Sequence, residues 1–354
     1  MSEKNSNSIQ NYQFIQSTEF IDNTSYNPFA PNPNPVNNKA QDNSQQEYQQ
    51  ITRPYLNEIQ NQGPNNEINN SSLNHTQASN DIKQSESNDL NLKHTQSYEI
   101  RKNNEMVVEF ENEIRKEIEQ TPLISEKLAI QVLLDDYKSN EEYSNSVKII
   151  TEKYKYIRKV RRDGNCFYRS FLYRLFEHIC MKNNNSLYNH ILKKIEEIKE
   201  ISKKVGYEWF LIEDFYNVFY GEFCSCFNCI STNEVSVRDY LDNLFMDKEK
   251  GNYLIYFIRF CIASYLKENK ALYDVYVEGN YEDWINREVE AIDHEADQIQ
   301  IMACVNYFDI GVKIEYLNPH KNEVVKFPED KKDEDLFITV LFTPGHYDIL
   351  YTDD

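Results

Sequence analysis

The chain contains no apolar run near 18 residues, so no membrane-spanning helix is expected. Its Met-Ser-Glu-Lys start lacks the charged and apolar segments of a secretion signal. Cysteines are few and odd in number, seven in 354 residues, which does not suggest a disulfide framework. These absences point to a soluble protein of the cytoplasm, the nucleus or both. Positive charge is also short: 38 Lys and Arg stand against 58 Asp and Glu, a formal charge of −20. The first hundred residues carry five basic and eleven acidic side chains (5 − 11 = −6), which leaves −14 for the rest. A globular part this acidic argues against general nucleic-acid binding, which depends on neutralising phosphates. It suits a neutral or basic protein partner.

Apolar residues are sparse over residues 1–95, where Asn and Gln make up about a third of the positions. Ordering such a segment costs about 1–2 kcal/mol per residue in backbone entropy, and little apolar surface is there to offset it. Residues 1–95 are therefore expected to be a disordered extension, and residues 96–354 one folded domain. No internal repeat is present.

Past Tyr98 the pattern changes. Met106, Val107, Phe110, Ile114 and Ile118 follow helical spacing. A second helix is expected from Ser125, with Leu128, Val132 and Leu133 on its buried side. A third apolar stripe, Val147-Ile150-Tyr154, leads to a short strand at Tyr156-Ile157. A helix starting at Cys166 should bury Phe167, Phe171, Leu175 and Ile179 and leave Arg169, Arg174 and Glu177 on polar positions. Further helices are expected at Leu187–Ile201, Trp209–Phe219, Val237–Asn243, Tyr253–Lys267 and Trp284–Ile301. Val312–Tyr316, Leu336–Phe342 and Tyr347–Tyr351 alternate as strands. Helices followed by a late, mostly antiparallel sheet describe an α+β domain.

Two positions carry candidate chemistry. Cys166 follows the polar turn Arg162-Asp163-Gly164-Asn165 at the start of a helix. Free N–H groups and the positive helix end there favour a thiolate, so its pKa is expected to fall. The amides of Asp163 to Cys166 are candidate oxyanion donors. His346 lies 180 residues downstream (346 − 166) and enters the last strand with Asp348 two residues on. Alternation puts both on one face, where the carboxylate can fix the imidazole tautomer. Taken alone, a cysteine at a helix start and a His-x-Asp are each more often structural, and the residues leave that reading open.

The run Tyr156-Ile-Arg-Lys-Val-Arg-Arg-Asp-Gly-Asn-Cys-Phe-Tyr-Arg-Ser-Phe171 closely resembles the nucleophile segment of otubains, the ovarian-tumour-type deubiquitinases. Pro344-Gly-His-Tyr-Asp-Ile-Leu-Tyr351 resembles their C-terminal catalytic strand. Pro122–Leu128, Arg287–Glu290, Ala296-Asp297 and Phe327-Pro328 also match the family's pattern, so the resemblance covers about residues 100–354. It implies a papain-like OTU cysteine protease fold and cleavage of isopeptide bonds at the C-terminus of ubiquitin through a thioester. By this resemblance Cys166 is the nucleophile, His346 the base and then acid, and Asp348 the orienting residue. Asp163 belongs to the oxyanion loop. It further implies no metal or organic cofactor, and ubiquitin, polyubiquitin chains and ubiquitin-conjugating enzymes as partners, with no nucleic acid or membrane. Where many otubains carry Asp-His-Ile, this chain has Asp297-Gln298-Ile299, which puts substrate contacts rather than chemistry in question. A non-catalytic ubiquitin-binding regulator and a papain-like protease of unrelated peptides are the competing readings.

Other features are expected to be structural. Cys224, Cys226 and Cys229 are crowded but lack an obvious fourth zinc ligand, and are taken as loop thiols. The basic run from Lys153 to Arg162 is taken as a solvated face. His178 and His294 are taken as packing or surface residues on helices.

Overall fold

The computed structural model describes residues 112–228, 234–320 and 322–352. The expected disordered arm and the boundary at residue 96 lie outside them. Residues 112–120 are helical and belong to a different compact unit from the one that begins at Pro122.

The unit from Pro122 onward is built on a six-stranded sheet, β1 (Leu128–Ala129), β2 (Tyr156–Arg158), β3 (Val312–Tyr316), β4 (Glu323–Phe327), β5 (Ile338–Thr343) and β6 (His346–Tyr351). Its order is β1-β2-β6-β5-β3-β4. All neighbours are antiparallel except β3 and β5, which run parallel with Ile314 opposite Val340. The α-helices of five or more described residues in this unit are α1 (Val132–Asp136), α2 (Ser144–Lys153), α3 (Cys166–Met181), α4 (Asn185–Lys204), α5 (Glu213–Asn228), α6 (Glu234–Met246), α7 (Lys248–Glu268) and α8 (Gln298–Phe308). This is the expected α+β arrangement.

Alternation along the central strands divides the core. Val340, Tyr347, Ile349 and Tyr351 join the large cluster formed with α3, α7 and α8, while Leu341 and Leu350 join a smaller one with Leu133, Val147 and Ile150 of α1 and α2. Both sheet faces are therefore covered, and α3 is buried nearly all round. Arg169 and Glu177, expected on a polar face, are buried and ion-paired, to Asp163 and Arg174 respectively.

Several local expectations change. Leu128 lies in β1 rather than in a helix, because its segment pairs with Tyr156-Ile157. The single helix expected over Trp284–Ile301 is interrupted: a π-turn, Ile285–Glu290, ends before a loop in which Asp293 takes a left-handed φ of 66°. Asp297 then opens α8 with a capping box to Gln300. His294 accordingly sits in a loop, whereas His178 packs on α3 against the Phe337 ring with centroids 3.8 Å apart. Cys224 and Cys226 lie within α5, not in a loop, and Cys229 falls outside the described residues. The basic run is only partly solvated, since Arg158 is buried over the Tyr173 ring and paired to Asp242. The strand β4 lies outside the strands expected from the sequence.

Candidate active site

The turn before α3 is fixed by a dense set of polar contacts. Gly164 has φ +72°, and a Cβ there would lie 2.3 Å from the Asp293 carbonyl carbon and oxygen. Only glycine fits so close to another backbone in that conformation. The Asp163 carboxylate receives both Nη atoms of the buried Arg169, at 2.9 and 2.8 Å. It also accepts the Asn165 backbone N–H at 3.0 Å, which removes that N–H from the four expected to face an oxyanion. The Asn165 side chain spans the turn and the neighbouring loop, donating to Asp163 O and Asp293 Oδ1.

Behind the turn sits Arg259 of α7, 1% exposed. Its Nε and Nη2 donate to Asn165 Oδ1 at 3.0 and 2.7 Å. Nη2 also reaches Gly164 O and His294 O, and Nη1 reaches Val289 O. One guanidinium thus joins the turn carrying Cys166 to the end of the π-turn and the loop after it, at Val289 and His294, and lies over the Tyr168 ring at 4.3 Å.

The last strand brings the other half. His346 and Asp348 are both buried, and His346 Nε2 lies 2.9 Å from Asp348 Oδ1. The Val160 N–H donates to the same oxygen at 2.9 Å. Among the described residues the other ring nitrogen, Nδ1, has no hydrogen-bond partner. Cys166 meets this strand one residue further on: the Tyr347 backbone N–H donates toward its sulfur. The Tyr347 ring contacts Phe167 edge-on at 5.5 Å, and its hydroxyl donates to Ala296 O. Cys166 thus meets the strand at the residue after His346, and the His346 Nδ1 makes no hydrogen bond to the thiol.

The electrostatics reverse one expectation. Burial pushes the Cys166 thiol up to about 12, against the lowering by the Tyr347 N–H, and the Glu295 and Asp163 charges push the same way. A helix start does not make a thiolate when the sulfur is fully desolvated. Burial lowers the His346 pKa, aided by the Arg162 and Lys159 cations and opposed by Asp348. Burial alone would raise Asp348, but the hydrogen bond and charge of His346, with Lys159 and the Val160 N–H, hold it low. Burial thus favours a neutral thiol at Cys166 and a neutral imidazole at His346, the latter backed by the Asp348 carboxylate. Desolvation raises the Glu295 carboxyl to about 7, with Arg162 opposing and the Asp297 charge adding.

Residues 116–352 match the family model for the peptidase C65 otubains. The chain is 31% identical over 266 residues to human ubiquitin thioesterase OTUB1, spanning 70% of this chain and 90% of that protein. The chain belongs to the otubain family. This otubain is also 28% identical over 255 residues to ovarian tumor domain-containing deubiquitinating enzyme 1 of Arabidopsis thaliana, spanning 67% of the chain and 83% of that protein. Its fold is that of a solved OTUB1 complex with ubiquitin aldehyde and UBCH5B~Ub, with a TM-score of 0.63 at 23% identity, covering 71% of this chain and 98% of that one.

Sequence reasoning missed Arg259, Asp293, Glu295 and Lys159. Arg259 did leave a signal: it is a lone charge within the apolar run Phe257-Ile-Arg-Phe-Cys261, and a charge at such a position needs partners. Among the described residues no cluster of three or more His, Cys, Asp or Glu could hold a metal ion.

Proposed function

We propose that this otubain is a cysteine deubiquitinase that hydrolyses the isopeptide bond at the C-terminus of ubiquitin, with Cys166 as nucleophile, His346 as base and Asp348 as orienting residue. The observation that carries this is the disposition of His346. Nε2 is committed to a buried carboxylate, while Nδ1 is unpartnered one residue from the backbone N–H that contacts the Cys166 sulfur.

In this reading substrate binding draws the sulfur and Nδ1 together. The thiol proton passes to Nδ1 as the sulfur attacks the terminal glycine carbonyl. The oxyanion is met by N–H groups of the Asp163–Cys166 turn other than that of Asn165. Collapse expels the lysine amine, which takes the proton from the imidazolium and leaves a thioester. Water then gives a proton to His346 and attacks the thioester carbonyl. The C–S bond breaks, the imidazolium proton returns to the sulfur, and the ubiquitin tail leaves as the acid, which ionises in solvent. Asp163 acts through the turn, its carboxylate being held by Arg169 and Asn165.

A second role, binding ubiquitin-charged conjugating enzymes, is favoured by the solved OTUB1 complex that contains UBCH5B~Ub. The test for the main reading is steady-state hydrolysis of a fluorogenic ubiquitin C-terminal amide by the full chain. Turnover that vanishes in Cys166→Ala supports it; undiminished turnover in that variant overturns it. Ubiquitin binding without turnover in the wild type would favour the regulator alone.

A further inference from the structure

Behind the His346–Asp348 pair lies a cation that the proposed chemistry does not use. Lys159 directly follows β2, and its backbone is held from both sides by Ser125: Lys159 N–H donates to Ser125 Oγ and Ser125 N–H donates to Lys159 O, each at 2.8 Å. Its side chain is about one-third exposed, and the ammonium lies 2.8 Å from Asp136 Oδ2 and 3.4 Å from Asp348 Oδ2. The Asp348 carboxylate is thereby gripped at both oxygens. Oδ1 serves the imidazole and the Val160 N–H, and Oδ2 serves Lys159.

We propose that Lys159 is a positioning residue of this active site: seated between Asp136 and Asp348, it fixes the orienting carboxylate and sets the charge felt by His346. The inference rests on the functional reading above.

The charges around the imidazole come from every element packed there. Lys159 faces it from the end of β2 through Asp348. Arg162 approaches from the turn before α3, where it donates to Thr343 Oγ1 of β5 at 3.3 Å. Asp136 and Tyr137 close the end of α1, the latter phenol raised to about 12 by burial and therefore neutral. Cys166 stands at the start of α3 and contributes no charge as a thiol. Two cations, Lys159 and Arg162, and the Asp348 carboxylate thus act on His346, and Lys159 ties a second carboxylate to the first in one chain, Asp136–Lys159–Asp348–His346. Removing the ammonium leaves Asp348 acting on the imidazole with less opposition. The protonated imidazole becomes more favourable, and proton loss from the Cys166–His346 pair shifts to higher pH. Removing Asp136 strengthens the grip of Lys159 on Asp348 and shifts it the other way. A purely structural role would scale activity equally at all pH values.

The test is the pH profile of kcat/KM for hydrolysis of the fluorogenic ubiquitin amide by the full chain. In Lys159→Met the acid limb is expected to move up by about half a pH unit or more, the effect of one unit charge across a few ångströms of polar surroundings. KM stays unchanged while kcat falls at pH values below the shifted limb. Lys159→Arg restores the position of the limb. Asp136→Asn, at a half-exposed site, moves it down and keeps the test decisive where Lys159→Met does not fold. An acid limb that stays in place in both Lys159→Met and Asp136→Asn, or one that Lys159→Arg fails to restore, overturns the inference. Those outcomes leave the nucleophile assignment standing, whereas activity surviving in Cys166→Ala removes that assignment.

Discussion

Asp348 Oδ1 lies 2.9 Å from His346 Nε2, two residues back along the same strand, and both side chains are buried in the sheet. A carboxylate in that place holds one tautomer of the ring, with the proton on Nε2 and the lone pair on Nδ1, ready to take a proton from the thiol. The Asp348→Asn variant keeps the size but loses the charge. It should bind ubiquitin as tightly as the wild type and lose roughly 10²–10⁴-fold in kcat. Paired calorimetry and steady-state kinetics would check this, and an unchanged kcat would remove Asp348 from the mechanism.

Gly164→Ala tests the turn. The new methyl would meet the Asp293 backbone at 2.3 Å with φ at +72°, so the turn or the 291–297 loop must move. The cost should be about 1–3 kcal/mol of stability, together with a fall in kcat at unchanged KM. Urea denaturation and kinetics on the same preparation would measure both.

Arg259→Met leaves Asn165 Oδ1 and the carbonyls of Gly164, Val289 and His294 without their guanidinium donor. Breaking a buried charged network from one side costs about 3–5 kcal/mol. The denaturation midpoint should fall accordingly. Arg259→Lys should recover only part of it, since an ammonium cannot span four acceptors in a plane. A midpoint unchanged in Arg259→Met would contradict the role given to this residue.

How much of this was legible beforehand depended on whether a residue's partners were near it in sequence. Cys166 after Asp163-Gly164-Asn165, and His346 two before Asp348, are local patterns, and a strand period alone puts the last two on one face. The buried strands with β-branched and aromatic residues were equally plain. Arg259 was not, because its acceptors lie 30–95 residues away and are mainly backbone carbonyls that no side-chain pattern reveals. The 284–301 segment was read as one helix because its apolar spacing is nearly continuous. The left-handed Asp293 and the Asp297–Gln300 capping box break it, and the latter was visible as an Asp-x-x-Gln sequence. The depressed thiol pKa was expected from the helix start. Burial, which no sequence window displays, reverses it.

His178 offers a stability test by pH. Burial, with the Arg174 and Lys182 cations, lowers its pKa from 6.5 to about 4. The unfolded chain therefore binds more protons than the folded one between those values. His178 contributes stability that is fully present above about 6.5 and is lost as pH falls toward 4. Urea midpoints of the wild type should drop over that window more steeply than those of His178→Gln. Parallel curves would contradict the assignment.

Glu295 stands close enough to raise the Cys166 thiol pKa when ionised. Glu295→Gln should shift the pH dependence of iodoacetamide labelling at Cys166 to lower pH, as followed by mass spectrometry of the Cys166 peptide. An unmoved labelling profile would show that the carboxylate does not reach the sulfur.

The most direct measurement is covalent capture. Full-length protein is mixed with ubiquitin carrying a C-terminal electrophile, and the adduct is digested and mapped by mass spectrometry. One ubiquitin per chain is expected, attached at Cys166, with capture abolished in Cys166→Ala and slowed severely in His346→Ala. An adduct on another cysteine, or capture at full rate without the imidazole, would contradict it.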